Sequence, residues 1–146
     1  MKNLLVAIDQ RKNVDQLLDQ AVKLAKLANA KIWIIHVTEA DPDHFLTQEA
    51  GPQYKYEKRA EERKEEAASI KKWTEELKKK HNLEVEGLLI EGSVTKSIRK
   101  LVVDCNIDLV VAGHRKKNLV YELFTSNKKK DLIDDLKIPL LAVPLG

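Results

Sequence analysis

Five short apolar runs divide this chain at regular intervals, and they restrict its fold more than any other feature of the sequence. The runs cover residues 4–8, 32–37, 83–92, 108–112 and 138–143. Most of them are continuous rather than alternating, as expected of parallel strands that are covered on both faces. The run at 83–92 alternates at its start, which is typical of a strand at the edge of a sheet.

The segments between these runs carry the period of amphipathic helices. Apolar residues recur at helical spacing after Asn13, a suitable N-cap residue, and residues 57–80 are almost all strong helix formers. A third helical pattern follows Gly92, and a broken one spans 119–136. The segment 38–56 contains two prolines and shows no sustained period, so we predict a long crossover there.

Strands and helices thus alternate along the chain, which indicates a single α/β domain over residues 1–146 with helices on both faces of a parallel sheet. A chain of this length buries roughly 70% of the surface that it exposes when unfolded. With the first strand central, the predicted strand order is 3-2-1-4-5. The last strand then lies at an edge, where pairing with a second copy would satisfy its free N–H and C=O groups, so we expect a homodimer through this strand.

Composition excludes several classes of function. The net charge is +3, and most Lys and Arg residues are interleaved with Glu and Asp, which argues against a nucleic-acid partner. The single cysteine, Cys105, excludes an internal disulfide and a multi-cysteine metal site, and we interpret it as a core residue. The first ten residues contain too short an apolar run for a signal peptide or a membrane span, so we expect a cytoplasmic protein with no membrane partner.

A ligand site is expected where the strand order of such a sheet reverses, beyond the carboxyl ends of strands 1 and 4. Asp9 ends the first run and Gly113 ends the fourth, so the two should face each other across a crevice. A carboxylate at position 9 can accept two hydrogen bonds from a ribose, and the turn after Gly113 can offer N–H groups to an anion. The sequence contains no catalytic motif and no metal-ligand spacing, so we predict neither catalytic residues nor a metal site, and the protein is not expected to be an enzyme.

Five segments together resemble the universal stress protein family, over essentially the whole chain. They are VAID ending at Asp9, IIHV ending at Val37, IEGSVTKSI, DLVVAGHRKK and the terminal IPLLAVPL. The resemblance implies an adenine nucleotide alpha-hydrolase-like fold, a dimer and, in one branch of the family, an ATP site in the crevice. The signature of that branch resembles Gly, two residues, Gly, nine residues, Gly, and then Ser or Thr.

This chain departs from the signature at three of its four positions. Gly113 matches, but Lys116 and Ser126 replace the second and third glycines, and Asn127 stands where a hydroxyl residue is expected. Glycines permit positive φ angles and a close approach of the backbone to phosphate, and side chains at these positions hinder both. The pattern is thus more similar to the non-nucleotide branch, whose type is universal stress protein A.

Two hypotheses of different classes follow. The first is a non-enzymatic stress-response protein without a cofactor, which acts as a dimer through contacts with protein partners still to be identified. The second is an ATP-binding switch or slow ATPase that uses ATP with magnesium. In that case Asp9 would bind the ribose and Val37 the base. The phosphates would be surrounded by Gly113, Arg115, Ser126 and Asn127. A more distant alternative, an electron-transfer flavoprotein-like domain, would need further chain for its cofactor.

Overall fold

The chain forms five strands and three helices within the residues that the computed structural model describes, which are 1–8, 13–36, 52–90, 94–114 and 136–145. The strands are β1 (Asn3–Ile8), β2 (Lys31–His36), β3 (Val85–Leu89), β4 (Leu109–His114) and β5 (Leu140–Pro144). The helices are α1 (Val14–Ala28), α2 (Pro52–His81) and α3 (Val94–Asp104). No described helix is both long enough and apolar enough to span a membrane.

The five strands form one parallel sheet in the order β3-β2-β1-β4-β5. This confirms the predicted fold class, the central place of the first strand and the edge positions of β3 and β5. The register pairs Ile8 of β1 with His36 of β2, and Ala7 of β1 with Ala112 of β4. The carboxyl ends of the three central strands therefore lie side by side.

Two apolar clusters cover the two faces of the sheet. One joins alternate residues of β1, such as Leu4 and Val6, to the buried stripe of α1 and to Leu77 of α2. The other joins Leu5 and the residues alternating with it to α3. The pleat of β1 sends successive side chains to opposite faces, so a continuous apolar run is what a strand buried on both sides requires. This explains why apolar and polar residues do not alternate in the first run of the sequence.

Helix α2 begins earlier than predicted. The sequence pattern predicts a helix over 57–80, whereas the structure places it over Pro52–His81. Proline is well tolerated in the first turn of a helix, because its missing N–H has no intrahelical partner there and its φ angle is already helical. Pro52 is therefore a helix start rather than part of the predicted crossover.

Asparagine residues in the left-handed region follow the three helices α1, α2 and α3 of the described residues. Asn29, Asn82 and Asn106 have φ angles of 52°, 52° and 51°. The N–H groups of Asn29 and Asn82 donate to the carbonyl oxygens of Ala25 and Lys78 respectively, which ends each helix with a bonded carbonyl. Asparagine tolerates this conformation better than most residues with a side chain, so it can replace the usual glycine after a helix.

The N-terminal cap of α1 differs in detail from the prediction. Asn13 does precede the helix, but its φ is 63° and its side chain makes no capping hydrogen bond. The usual N-cap residue is extended, which aims its side chain at the first free N–H groups of the helix. The predicted helix in the region 119–136 lies outside the described residues except for Leu136.

Candidate functional site

The strand order reverses between β1 and β4, and this junction defines the candidate site. The chain moves outward from β1 through β2 to β3, then crosses over the sheet to β4 and β5 on the other side of β1. Connections leave β1 and β4 in opposite directions at such a point, which opens a crevice at the carboxyl ends of the two strands. The predicted location of the site therefore has the expected topology.

Gly113 lies within β4 rather than in the loop after it. The sequence pattern predicts a fourth strand over 108–112 that Gly113 closes, but β4 continues to His114, and Gly113 is buried and in register with Val143 of β5. The carbonyl oxygen of His114 accepts a hydrogen bond from Leu145 N at 3.1 Å, so the backbone N–H and C=O groups of His114 face β5. Because backbone direction alternates along a strand, the N–H of Gly113 faces β1 and is directed into the sheet.

This arrangement changes the role that Gly113 can have. An amide that faces a neighbouring strand is not aimed at a ligand above the sheet. Gly113 can still help a ligand to approach the end of β4, since it has no side chain to occupy the space beside the crevice. The Gly113 amide is therefore not available to a phosphate bound above the sheet.

His36 ends β2 at the other side of β1 and is buried, with 4% of its surface exposed. Its ring stacks on Trp73 of α2, with 6.4 Å between ring centroids and 6° between ring planes. The contact between them fixes α2 beside the end of β2, directly before Val37.

Of the six residues predicted to contact a nucleotide, the structure describes Gly113 alone. The other five lie outside the described residues: Asp9, Val37, Arg115, Ser126 and Asn127. Three of these follow directly in the chain after described residues at the carboxyl edge, namely Ile8, His36 and His114. Their predicted contacts with a nucleotide remain predictions.

The described residues form neither an activated thiol nor a metal site. Burial raises the pKa of the Cys105 thiol, and the carboxylates of Asp104 and Glu86 raise it further, so this thiol is not activated as a nucleophile. Cys105 is half-buried and packs against the cluster on the α3 face, so it borders the core rather than lying inside it as predicted. Within the described ranges no three His, Cys, Asp or Glu side chains come together as a metal site would require.

A second concave surface, which the sequence pattern did not indicate, lies between α2 and the edge strand β3. It is a groove of about 370 Å³ lined on the β3 side by Val85, Glu86, Gly87 and Leu89 and on the α2 side by residues from Ala67 to Lys78. The signal for it was Gly87, since a glycine inside a strand often marks a close approach of another element.

Comparison with known proteins agrees with the fold. The model of the universal stress protein family matches residues 1–144. A universal stress protein of Helicobacter pylori is 29% identical over 141 residues, which is 95% of this chain and 97% of that protein.

Solved structures agree as well. A universal stress protein family member from Burkholderia pseudomallei has a TM-score of 0.66 at 16% identity, covering 99% of this chain and 96% of that one. The universal stress protein from Archaeoglobus fulgidus in complex with dAMP has a TM-score of 0.60 at 16% identity, covering 98% of each chain. The match of the family model over nearly the whole length, together with the strand order, shows that this chain belongs to the universal stress protein family.

Proposed function

We propose that this protein is a non-enzymatic stress-response protein that works as a dimer through contacts with other proteins, and that its crevice binds adenine nucleotides weakly. The observation that carries the proposal is the departure at Lys116, Ser126 and Asn127 from the glycine and hydroxyl pattern of the ATP-binding branch. The position of Gly113 inside β4 supports it, because the one glycine that matches directs its amide toward β1.

The expected loss of affinity is large. A side chain in the left-handed conformation costs about 1 to 2 kcal/mol, and its Cβ occupies space beside the backbone. Each charge-assisted hydrogen bond that fails to form removes roughly 1.5 to 3 kcal/mol. Since about 1.4 kcal/mol corresponds to a tenfold change in affinity, two such losses would weaken micromolar binding beyond physiological use.

A nucleotide-dependent switch or slow ATPase is the second candidate. It is favoured by the dAMP complex of the Archaeoglobus fulgidus relative and by the cation cluster Arg115–Lys117, because Lys and Arg can hold phosphate without a glycine loop. In this case Asp9 would bind the ribose and Val37 the base, while Gly113, Arg115, Ser126 and Asn127 would surround the phosphates of ATP with magnesium.

Calorimetric titration with ATP and magnesium separates the two candidates. We expect a dissociation constant above about 100 μM. Tighter binding that is lost in Asp9→Ala would overturn the proposal and establish the nucleotide switch. Analysis of nucleotide carried through purification from cells gives an independent measurement, with none expected.

A restoration series tests the cause. Lys116→Gly, Ser126→Gly and Asn127→Ser together rebuild the signature, and they should improve ATP affinity at least tenfold over the native chain. The matched control is Lys117→Gly, which adds a glycine to the same loop at a position outside the signature. If the restored and control variants bind ATP equally weakly, the missing glycines are not the reason for weak binding.

The proposed dimer uses the outer edge of β5, which pairs with β4 alone among the described strands. Pro139 O accepts a hydrogen bond from Val110 N at 3.1 Å, and Leu145 N donates to His114 O at the same distance, so the odd-numbered residues of this segment face β4. Leu140 and Ala142 therefore direct their N–H and C=O groups outward. An edge of this kind is a template for pairing with another strand, and a second copy of β5 would satisfy it in both chains.

A further inference from the structure

The outer edge of β3 presents a regular set of backbone groups. Ile32 N donates to Glu84 O at 2.9 Å, and Ile90 N donates to His36 O at 3.5 Å. Both hydrogen bonds run between β2 and even-numbered residues of the β3 segment. Because N–H and C=O directions alternate along a strand, Val85, Gly87 and Leu89 turn these groups away from β2, toward the open edge. In the described part of the chain, β3 pairs with β2 alone.

The side chains of Val85 and Leu89, with the backbone of Gly87 between them, line the groove under α2. Val85 is buried and Leu89 is half-buried, and the apolar wall opposite them includes Ile70 of α2. Thr74 also lines the groove. It is 9% exposed, and its Oγ1 has no hydrogen-bond partner among the described residues. Because Oγ1 is itself buried, it is not accessible to a ligand. A chain lying along β3 would thus meet free amides at the edge and an apolar pocket for alternate side chains.

The charges at the rim favour an acidic occupant. Glu86 Oε2 lies 3.0 Å from Lys31 Nζ, so this carboxylate is already neutralised by a cation. Lys71, Lys78 and Glu75 also line the groove, all exposed and on α2. Two ammonium groups against one carboxylate leave the α2 rim with a positive balance, which complements acidic side chains.

A second copy of this chain fits the groove poorly for the same reason. Antiparallel pairing of two β3 strands about Gly87 would place the two α2 helices antiparallel. Thr74 packs beside Gly87, so Lys71 of each chain would come opposite Lys78 of the other. Like charges in that position are unfavourable.

We propose that the groove between α2 and β3 binds an extended peptide segment with acidic side chains, which adds a strand to the outer edge of β3. Main-chain hydrogen bonds to Val85, Gly87 and Leu89 would supply affinity, and the apolar pocket with Lys71 and Lys78 would supply selectivity. The biological use of this surface rests on the proposed function, in which the protein acts through contacts with other proteins. The groove would be the place where one such contact forms. Binding itself does not depend on the crevice, which lies at the carboxyl ends of β1 and β4.

Fluorescence anisotropy with a defined probe tests the proposal. The probe is a labelled peptide of alternating valine and glutamate, about eight residues long, which is sufficient for one strand. It should bind more tightly than a peptide of alternating valine and lysine, and a version with a central proline should not bind. Failure of the valine and glutamate peptide to bind at about 1 mM, or equal binding of all three peptides, would overturn the proposal.

Two matched pairs of variants locate the site. Leu89→Pro removes an outward N–H without removing a bond to β2, whereas Leu89→Ala shortens the same side chain and keeps the amide. We expect at least about tenfold weaker binding for Leu89→Pro than for Leu89→Ala. Equal binding by the two would mean that the peptide does not pair with β3.

The second pair tests charge. Lys71→Glu with Lys78→Glu should abolish binding of the acidic peptide, whereas Lys72→Glu with Lys79→Glu makes the same charge change on α2 at side chains that do not line the groove. Equal effects of the two pairs would reduce the interaction to general charge attraction and contradict the proposed site. Circular dichroism verifies that each variant is folded, and an ATP titration of the same samples reports on the crevice independently of the groove.

Discussion

Asp108 joins the start of β1 to the start of β4 through its carboxylate. Its Oδ2 accepts hydrogen bonds from the backbone N–H groups of Lys2 at 2.8 Å and Asn3 at 2.9 Å, and Asp108 N donates to Asn3 O at 2.9 Å. The hydrogen bonds from Lys2 and then Asn3 hold the pKa of Asp108 below its ordinary value. A side chain at the surface thereby fixes the register of the two central strands at their amino ends.

We predict that Asp108→Asn lowers the free energy of unfolding at neutral pH by about 1 kcal/mol, a modest figure because the carboxylate is exposed to solvent. The native pKa lies below the unfolded one, so this contribution is present above the unfolded pKa and disappears as the pH falls through the native pKa. Urea unfolding as a function of pH should therefore show the two proteins converging in acid. Asp104→Asn is the control, and a constant difference at every pH would contradict the prediction.

Thr74 shows the cost of a polar atom without a partner. Its side chain is buried between α2 and β3, and Oγ1 has no hydrogen-bond partner in the described structure. Valine has nearly the same shape and a similar helix propensity, so Thr74→Val should raise the free energy of unfolding by about 1 kcal/mol. Chemical denaturation measures the change. Thr95→Val on α3 should be close to neutral, and a loss of stability in Thr74→Val would show that the hydroxyl is satisfied.

The contact between α2 and β3 depends on a glycine. A Cβ added at Gly87 would overlap with Ile70 Cγ2 and lie 2.6 Å from Thr74 Oγ1. Both neighbours are buried in the helix interface, so neither can move away without disturbing the packing of α2. Gly87 therefore sets the distance between this helix and the edge strand.

We predict that Gly87→Ala costs about 1 to 3 kcal/mol of stability, as overpacking of an interface usually does. A double-mutant cycle identifies the cause. Ile70→Ala removes the atom that the new methyl group would meet, so Gly87→Ala should cost clearly less in that background than in the native chain. Equal costs in both backgrounds would place the strain elsewhere. The m-value should stay constant in each unfolding experiment.

The elements of the fold were predictable where local pattern and buried position agree. The continuous run at 4–8 predicted a central strand, and β1 is buried on both faces. Some residue types are compatible with more than one local structure. A proline can interrupt a helix or begin one, and in the folded chain Pro52 begins α2. Gly113 was interpreted as the end of a strand, but β5 pairs with β4 through His114 and prolongs it.

The candidate site was less accessible to sequence reasoning than the fold. Topology places a crevice at β1 and β4 from strand order alone, and the order was correct. The direction of the Gly113 amide depends on which neighbour each strand residue faces, and this requires the register of β4 with β5. The groove at β3 arises from the packing of a helix on a strand distant in sequence, for which Gly87 was the sole local sign.

At the scale of the whole molecule, the two edges of the sheet differ in chemistry. At the β3 edge the groove is bordered by charged side chains of α2, whereas Ala142 lies exposed on β5 with a small apolar side chain. A small side chain permits close approach of a second strand, and the lysines at the other edge discourage self-pairing. The proposed assembly is thus a dimer through β5 that leaves both β3 grooves accessible.

Ala142→Pro tests this assembly. The N–H of Ala142 faces outward, so proline removes a donor needed for pairing between copies and keeps every hydrogen bond from β5 to β4. We expect the native chain and Ala142→Ser to sediment as dimers at micromolar concentration, whereas Ala142→Pro should sediment as a monomer with nearly native circular dichroism. A monomeric native chain, or a proline variant that remains dimeric, would show that β5 does not form the interface. Peptide binding at β3 should be unchanged in the monomer, because the two edges lie on opposite sides of the sheet.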